Sequence, residues 1–140
     1  MPANSQQFLF ALGTGTTTAT SVIIPSTAVA PNGSTTFISQ QEKGDGYYGL
    51  SDGFHTVTYT VTPSFIGTLT MQATLATAPI EADWFDVKNT AVTYDQIVNP
   101  VATTTTNYVN FVGNFVWVRA KVQRTPQPNF GSLLFINYNH

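Results

Sequence analysis

Apolar and polar residues alternate along much of this chain, as they do in half-buried β-strands. In the clearest segment Val57, Tyr59 and Val61 share one face, and threonines occupy the other. Pro63 should end this strand, and the short break from Pro63 to Gly67 predicts an antiparallel pair with the next segment, whose inward residues include Leu75. Strong alternation occurs in four segments: 54–62, 67–75, 115–122 and 132–138.

Five further segments predict strands on weaker alternation: 7–12, 21–24, 35–40, 92–98 and 107–112. No segment has a sustained apolar stripe at the helical period with capping residues, so we expect almost no helix. The sequence therefore predicts an all-β protein, an antiparallel β-sandwich of jelly-roll or Ig-like type with eight or nine short strands.

The first third of the chain differs from the rest in composition and in the regularity of its pattern. Residues 13–20 are of low complexity, and Pro25, Pro31 and Gly33 interrupt the segment that follows. Residues 1–35 are therefore edge strands joined by long loops, which we favour, or an extended arm ordered by neighbouring subunits. Residues 36–140 are predicted to form the sandwich domain.

Composition narrows the functional classes. Charged residues make up 9% of the 140-residue chain, against about 25% in an average domain. We therefore expect its 23 threonines and other uncharged polar residues to form most of the solvated surface. A net charge of −2 without a basic patch argues against binding to nucleic acid. No apolar run is long enough to span a membrane, and none has the pattern of a secretory signal. Without cysteine and with two histidines, we expect no disulfide, no metal and no cofactor.

Two acidic segments are candidates for chemistry. Asp45 and Asp52 each precede a glycine, which suits either a calcium loop or tight turns; the spacing favours turns. Glu81, Asp83 and Asp86 surround Trp84, and paired carboxylates beside an aromatic ring occur in glycosidases.

The acidic segments lack a partner motif, and we favour a solvated loop at 81–86. No nucleophile motif or phosphate-binding glycine loop is present. His55 shares the apolar face of its strand and is expected to be a hydrogen-bonded core residue, while His140 ends the chain. We therefore expect a protein that is not an enzyme.

The late strand carries a mixed aromatic and cationic face made of Phe115, Trp117, Arg119 and Lys121. Either the second layer of the sandwich covers the two aromatic residues, which we favour, or they form an exposed patch for a sugar or a protein partner. Combined with aromatic residues elsewhere, the candidate interaction residues are Tyr47, Tyr48, Trp84, Phe115, Trp117 and Arg119.

Four segments form a distinctive series: 67–75, 83–87, 110–122 with its "GNFVWVRAKV" strand, and the final 131–140. Their order resembles that in small virion structural proteins of tailed bacteriophages, especially T-even-like phages of marine cyanobacteria. The chain departs from that pattern at the Pro126–Asn129 insert and throughout its first third. The resemblance implies a structural role on the capsid or tail and no catalytic residues.

Two functional hypotheses follow. The first is a non-enzymatic virion component, assembled in the host cytoplasm in many copies through β-sheet edges and aromatic contacts. Its partners would be major capsid or tail proteins and further copies of the chain. The alternative is a carbohydrate-binding or host-adhesion module in which Tyr47, Tyr48, Trp84 and Trp117 stack on a glycan.

Overall fold

The computed structural model describes residues 5–31, 35–49, 53–95, 97, 99–124 and 131–139. These residues form ten strands and one three-residue 3₁₀ turn, so the predicted all-β class is confirmed. No helix in the described ranges is long and apolar enough to cross a membrane. The strands are β1 Ser5–Gln7, β2 Thr36–Ile38, β3 Glu42–Lys43, β4 Phe54–Val61, β5 Gly67–Thr74, β6 Phe85–Asp86, β7 Val92–Tyr94, β8 Thr105–Val112, β9 Trp117–Gln123 and β10 Leu133–Asn139, and the turn is Glu81–Asp83.

The strands form two antiparallel sheets with jelly-roll connectivity. Sheet A has the order β1-β10-β4-β8. Sheet B has the order β2-β9-β5-β6, with β3 extending the β2 side and β7 extending the β6 side. If β2 with β3 and β6 with β7 each count as one interrupted strand, eight strands remain, and all their connections pass between the sheets except the one from β5 to β6. This is a double-sheet jelly roll, one of the two predicted sandwich types.

The predicted pairing across the break after Pro63 is wrong. β4 pairs with β8 and β10, whereas β5 pairs with β6, β7 and β9 in the other sheet. The loop uses its few residues to cross the gap of about 10 Å between packed sheets. Ser64 has a φ of 67°, which turns the chain, and buried Phe65 anchors it in the core.

The alternation predicts the inward residues of the long strands well. Val57, Tyr59 and Val61 are buried from β4, and Val118, Ala120 and Val122 from β9. Leu75 was predicted to face inward and instead is exposed, because β5 ends one residue earlier at Thr74.

Residues 5–31 pack into the same core as the rest of the chain. Phe8, Phe10, Ile24 and Ala30 are buried, and β1 forms one edge of sheet A against β10. Between them the backbone runs in irregular loops, held by bridges such as that between Ile24 and Leu133. The low-complexity segment thus contributes little apolar surface itself, and the residues on both sides of it supply the contacts.

Charge is distributed unequally between the two sheets. The four strands of sheet A contain no aspartate, glutamate, lysine or arginine. Their outward threonines pair across strands: the Thr60 and Thr106 hydroxyls are 2.7 Å apart, and Thr56 donates to Asn110 Oδ1 at 2.8 Å. Charged strand residues are confined to sheet B, where Arg119 and Lys121 lie on the outward face.

Candidate functional site

Exposed aromatic side chains concentrate at the end of the sandwich where β3, β5 and β8 finish and β4 and β9 begin. Three loops lie there, and their described residues are 44–49 with 53, 75–84 and 113–116. We call this region the aromatic end. The candidate interaction residues of the sequence all lie at this end, in two groups. The group on the outward face of sheet B consists of Tyr47, Tyr48, Trp84, Trp117 and Arg119. Phe115 lies apart from them, between the two sheets.

Tyr47, Tyr48 and Trp117 form a continuous surface, which we call the aromatic platform. The rings of Tyr47 and Trp117 are 5.0 Å apart, and Tyr48 meets Tyr47 edge-on at 5.4 Å. The two tyrosines are 46% and 47% exposed, and Trp117 is half-buried. The platform therefore presents adjoining ring surfaces to solvent in a fixed arrangement.

Polar contacts hold the platform in place. The Trp117 indole N–H donates to the Thr77 carbonyl oxygen at 3.0 Å, which joins the ring to the loop after β5. The Lys43 ammonium lies 4.6 Å from the centre of the Tyr47 ring, a cation–π distance. Lys43 and Trp117 are cross-strand neighbours on β3 and β9, so Tyr47 lies above a paired position of the sheet.

Two close backbone contacts fix the position of the loop that carries Tyr47. The Gly44 and Gly46 amides donate to the carbonyl oxygens of Val116 and Phe115 at 2.9 and 2.8 Å. A Cβ at Gly46 would collide with the carbonyl oxygen of Asn114. The residues around Asp45 do form a turn, but Gly46 is required there by close packing and not by a positive φ. Gly53, after Asp52, does have a positive φ of 64°.

Arg119 lies on the same face of sheet B as Trp117 and is covered by the loop after β5. Its guanidinium makes two hydrogen bonds to Glu81, at 3.0 and 2.9 Å, and its Nε donates to Gln72 at 2.8 Å. The Trp84 ring stacks on it, with the guanidinium carbon 4.2 Å from the ring centre. Its side chain is 8% exposed, and its contacts hold the loop after β5 against sheet B.

Each acidic candidate of the 81–86 segment has a structural partner. Glu81 bonds to Arg119, and Asp83 accepts the Ile80 amide at 2.9 Å, which closes the 3₁₀ turn. Asp86 accepts from Gln72 at 2.9 Å and from Lys121 at 3.0 Å. No group of three metal-ligating side chains occurs in the described part of the chain, and Asp52 and His140 lie outside it.

Phe115 differs from the expectation that it shares a face with Trp117. It precedes β9 and turns between the sheets, where its ring lies 5.9 Å from His55 and 6.2 Å from Phe111. His55 is buried, as predicted, with Nε2 2.7 Å from the Gly113 carbonyl oxygen and Nδ1 3.0 Å from the Tyr138 hydroxyl. Burial raises the pKa of Tyr138, and the charge of Asp45 adds to this effect.

A groove that the sequence did not predict opens beside Phe115. It has a volume of about 560 Å³ and runs between the β6–β7 connection and the last residues of β8. Phe85, Phe111 and Phe115 give it an apolar floor, and Asp86, Lys88 and Asn110 are among its polar lining. Its walls come from residues 85–89 and 110–112. These segments are distant in the chain, so the sequence did not predict that they lie side by side.

The Arg119 contacts predict an acid-dependent loss of stability. Hydrogen bonds from Arg119 lower the pKa of Glu81, and those from Gln72 and Lys121 lower that of Asp86. A lowered folded-state pKa gives stabilisation that is present above the unfolded pKa, 4.5 for Glu81 and 3.8 for Asp86, and is lost as pH falls through the folded value.

Between pH 6 and pH 3 we expect the free energy of unfolding to fall less in Arg119→Met than in the wild type, as measured by urea denaturation. The difference should be at most about 1 kcal/mol, because solvent screens exposed Glu81. Lys88→Met, which removes an exposed cation, should keep the wild-type pH dependence. The same pH slope in wild type and Arg119→Met would contradict the assigned role of this contact.

Comparisons with known proteins find distant structural matches alone. No family model and no curated protein matches the chain. Among solved structures, a family 29 carbohydrate-binding module from Piromyces equi is 12% identical, with 100% of this chain and 93% of that one covered and a TM-score of 0.39. The C-terminal CBM6 of the laminarinase LamC from Zobellia galactanivorans is 9% identical, with coverages of 98% and 100% and a TM-score of 0.45.

The K2 adhesin domain of Lys-gingipain is 14% identical, with 75% of this chain covered and a TM-score of 0.43. The match spans 62% of that domain, less than two thirds of its length. At these identities and TM-scores, the likenesses carry no argument about a ligand.

Proposed function

We propose that this chain is a non-enzymatic recognition module that binds a carbohydrate on its aromatic platform. The observation that carries the proposal is the continuous, solvent-exposed surface of Tyr47, Tyr48 and Trp117. Aromatic rings of this kind offer flat apolar faces to the C–H groups of a sugar ring, and tyrosine hydroxyls add hydrogen bonding at the rim. Because contacts from Thr77 and Lys43 hold the rings, little side-chain entropy is lost on binding.

Local charge favours an uncharged saccharide. Arg119 is bonded to Glu81 and Lys121 to Asp86, so these cations are already compensated. Lys43 is engaged with the Tyr47 ring. An anionic ligand would have to compete for these cations, whereas a neutral sugar needs only ring faces and hydroxyl partners.

An array of neutral gluco-, manno-, galacto- and xylo-oligosaccharides tests this proposal. We expect Tyr47→Ala to weaken binding of the selected oligosaccharide at least about tenfold by calorimetry, as loss of a central aromatic contact does. Phe54→Ala is the matched control, because Phe54 is an exposed aromatic residue of β4 in the other sheet. No binding by the wild type, or equal losses in both variants, would contradict the proposal.

A structural role in a tailed-phage particle is the second candidate. It is supported by sheet A, whose four strands carry no charged residue and whose outward face carries threonine and asparagine together with exposed Phe54, Tyr108 and Val112. Such a face can lie against neighbouring subunits without like-charge repulsion or the desolvation of ions. The resemblance to virion structural proteins points the same way.

Mass spectrometry of purified particles with copy counting tests the second candidate. Hundreds of copies would place the chain on the head, and multiples of six would place it on the tail or baseplate. Absence from the particle would remove this candidate. The result does not depend on glycan binding, so the two candidates are judged separately.

A further inference from the structure

The sheet edges of this sandwich differ greatly in length. β1, the outer strand on one side of sheet A, has three residues, and the edges of sheet B are interrupted pieces of two or three residues. β8, the other edge of sheet A, has eight. Short and interrupted edges are a common protection against strand pairing between molecules, and β8 lacks that protection.

β8 also lacks the other usual protective features. Its sequence, TTNYVNFV, contains no proline and no lysine or other charged residue. It pairs with β4 in continuous register from Thr105 opposite Val61 to Val112 opposite Phe54, without a bulge. The strand is therefore regular along its whole length, as a template for another strand must be.

The hydrogen-bonding phase of β8 shows which backbone groups face outward. The Gly113 amide donates to the Gly53 carbonyl oxygen, which sets the pairing phase at that end of the ladder. Because hydrogen-bonded positions alternate in an antiparallel pair, residues 105, 107, 109 and 111 bond to β4. The amides and carbonyls of Thr106, Tyr108, Asn110 and Val112 point to the open edge, where no backbone bond joins them to the rest of the described chain.

β8 is complementary to a second copy of itself. A two-fold axis normal to the sheet reverses strand direction and keeps each face on its own side. With the axis at Tyr108, that residue faces Tyr108 of the partner subunit. Thr106 then faces Asn110 of the partner subunit, and Asn110 faces Thr106 of the partner subunit. All three pairings use outward backbone groups, and together they give about six hydrogen bonds.

The side chains also suit this self-pairing. Threonine and asparagine already pair across strands within the molecule, as Thr56 and Asn110 do at 2.8 Å. That bond uses Asn110 Oδ1, which leaves its amide nitrogen to donate to Thr106 of the partner subunit. Tyr108 is 67% exposed and would cover its counterpart. Since β8 is uncharged, the two copies meet without the repulsion that opposed like charges cause.

We propose that β8 pairs antiparallel with β8 of a second copy of this chain, joining the two four-stranded sheets into one continuous eight-stranded sheet. The interface is narrow, so the dimer should be weak, with a Kd on the order of micromolar. The aromatic platform lies on the opposite sheet and stays open in this dimer. The proposal is therefore independent of glycan binding.

Sedimentation velocity over a concentration series tests this pairing. We expect the wild type to show a concentration-dependent dimer and Tyr108→Lys to weaken it at least about tenfold, because two lysines would face each other across the axis. Gln7→Lys is the matched control, since it adds the same charge to β1 at the other edge of sheet A. Circular dichroism checks that both variants fold.

Amide hydrogen exchange gives a residue-level test of the same pairing. At low concentration the amides of 107, 109 and 111 should be protected, and those of 106, 108 and 110 should exchange rapidly. At high concentration the second set should become protected as well. A wild type that stays monomeric at all concentrations, a dimer unaffected by Tyr108→Lys, or a second set that never changes would overturn the proposal.

Discussion

Replacing His55 with alanine should lower the free energy of unfolding by about 3–5 kcal/mol, as removal of a large buried ring does. The imidazole stacks with Phe111, Phe115 and Tyr138 at centroid distances of 4.8, 5.9 and 5.8 Å. The Gly113 carbonyl can only accept, so Nε2 carries a hydrogen and donates to it, while Nδ1 shares a hydrogen bond with the Tyr138 hydroxyl. Alanine would leave a cavity and would remove one hydrogen bond each from the Gly113 carbonyl oxygen and the Tyr138 hydroxyl.

Urea denaturation measures this effect, and Thr56→Ala is the control. Thr56 is the next residue on β4 but points to solvent, where it donates one hydrogen bond to Asn110. Its loss should cost about 1 kcal/mol or less. Similar values for the two variants would show that His55 does not hold the aromatic end together.

Gly46→Ala should destabilise the fold by about 1–3 kcal/mol and also weaken saccharide binding. A methyl group at this position would meet backbone atoms of Asn114 and Phe115, which cannot rotate away as a flexible side chain would. The loop must then move out, and Tyr47 moves with it. Thermal unfolding and calorimetric titration measure the two effects on the same variant.

Gly49→Ala separates close packing from backbone conformation. Gly49 lies in the same loop with a φ of 70°, and a Cβ there meets nothing within 4 Å. Its substitution should cost about 1 kcal/mol through the left-handed φ. We expect a smaller change in binding than for Gly46→Ala. If Gly49→Ala is the more harmful of the two, the turn conformation and not the contact with Asn114 places Tyr47.

The sequence predicts the strands of this fold better than their partners. Alternation depends on neighbours along the chain, and it identifies the buried faces of β4 and β9. The pairing of β4 with β5 was wrong because the length of the loop after Pro63 does not say whether the chain reverses within a sheet or crosses to the other one. β3 and β6 are two residues long, too short for alternation to detect.

The candidate site shows the same limit. The alternation of residues 115–122 indicates that Trp117 and Arg119 face away from Val118, and they do. It cannot indicate that the loop after β5 covers Arg119, or that Phe115 leaves the strand to stack on His55. The glycines at 44 and 46 were a usable signal, because closely spaced glycines permit backbone approach as well as turns.

An NMR titration with the oligosaccharide selected on the array shows whether the saccharide binds at the aromatic platform. With ¹⁵N-labelled protein, we expect shifts for the amides of Tyr47 and Tyr48 and the indole N–H of Trp117, and none along β8 after correction for self-association. Shifts confined to the groove beside Phe115 or to sheet A would contradict saccharide binding at the platform. So would the absence of any bound saccharide on the array.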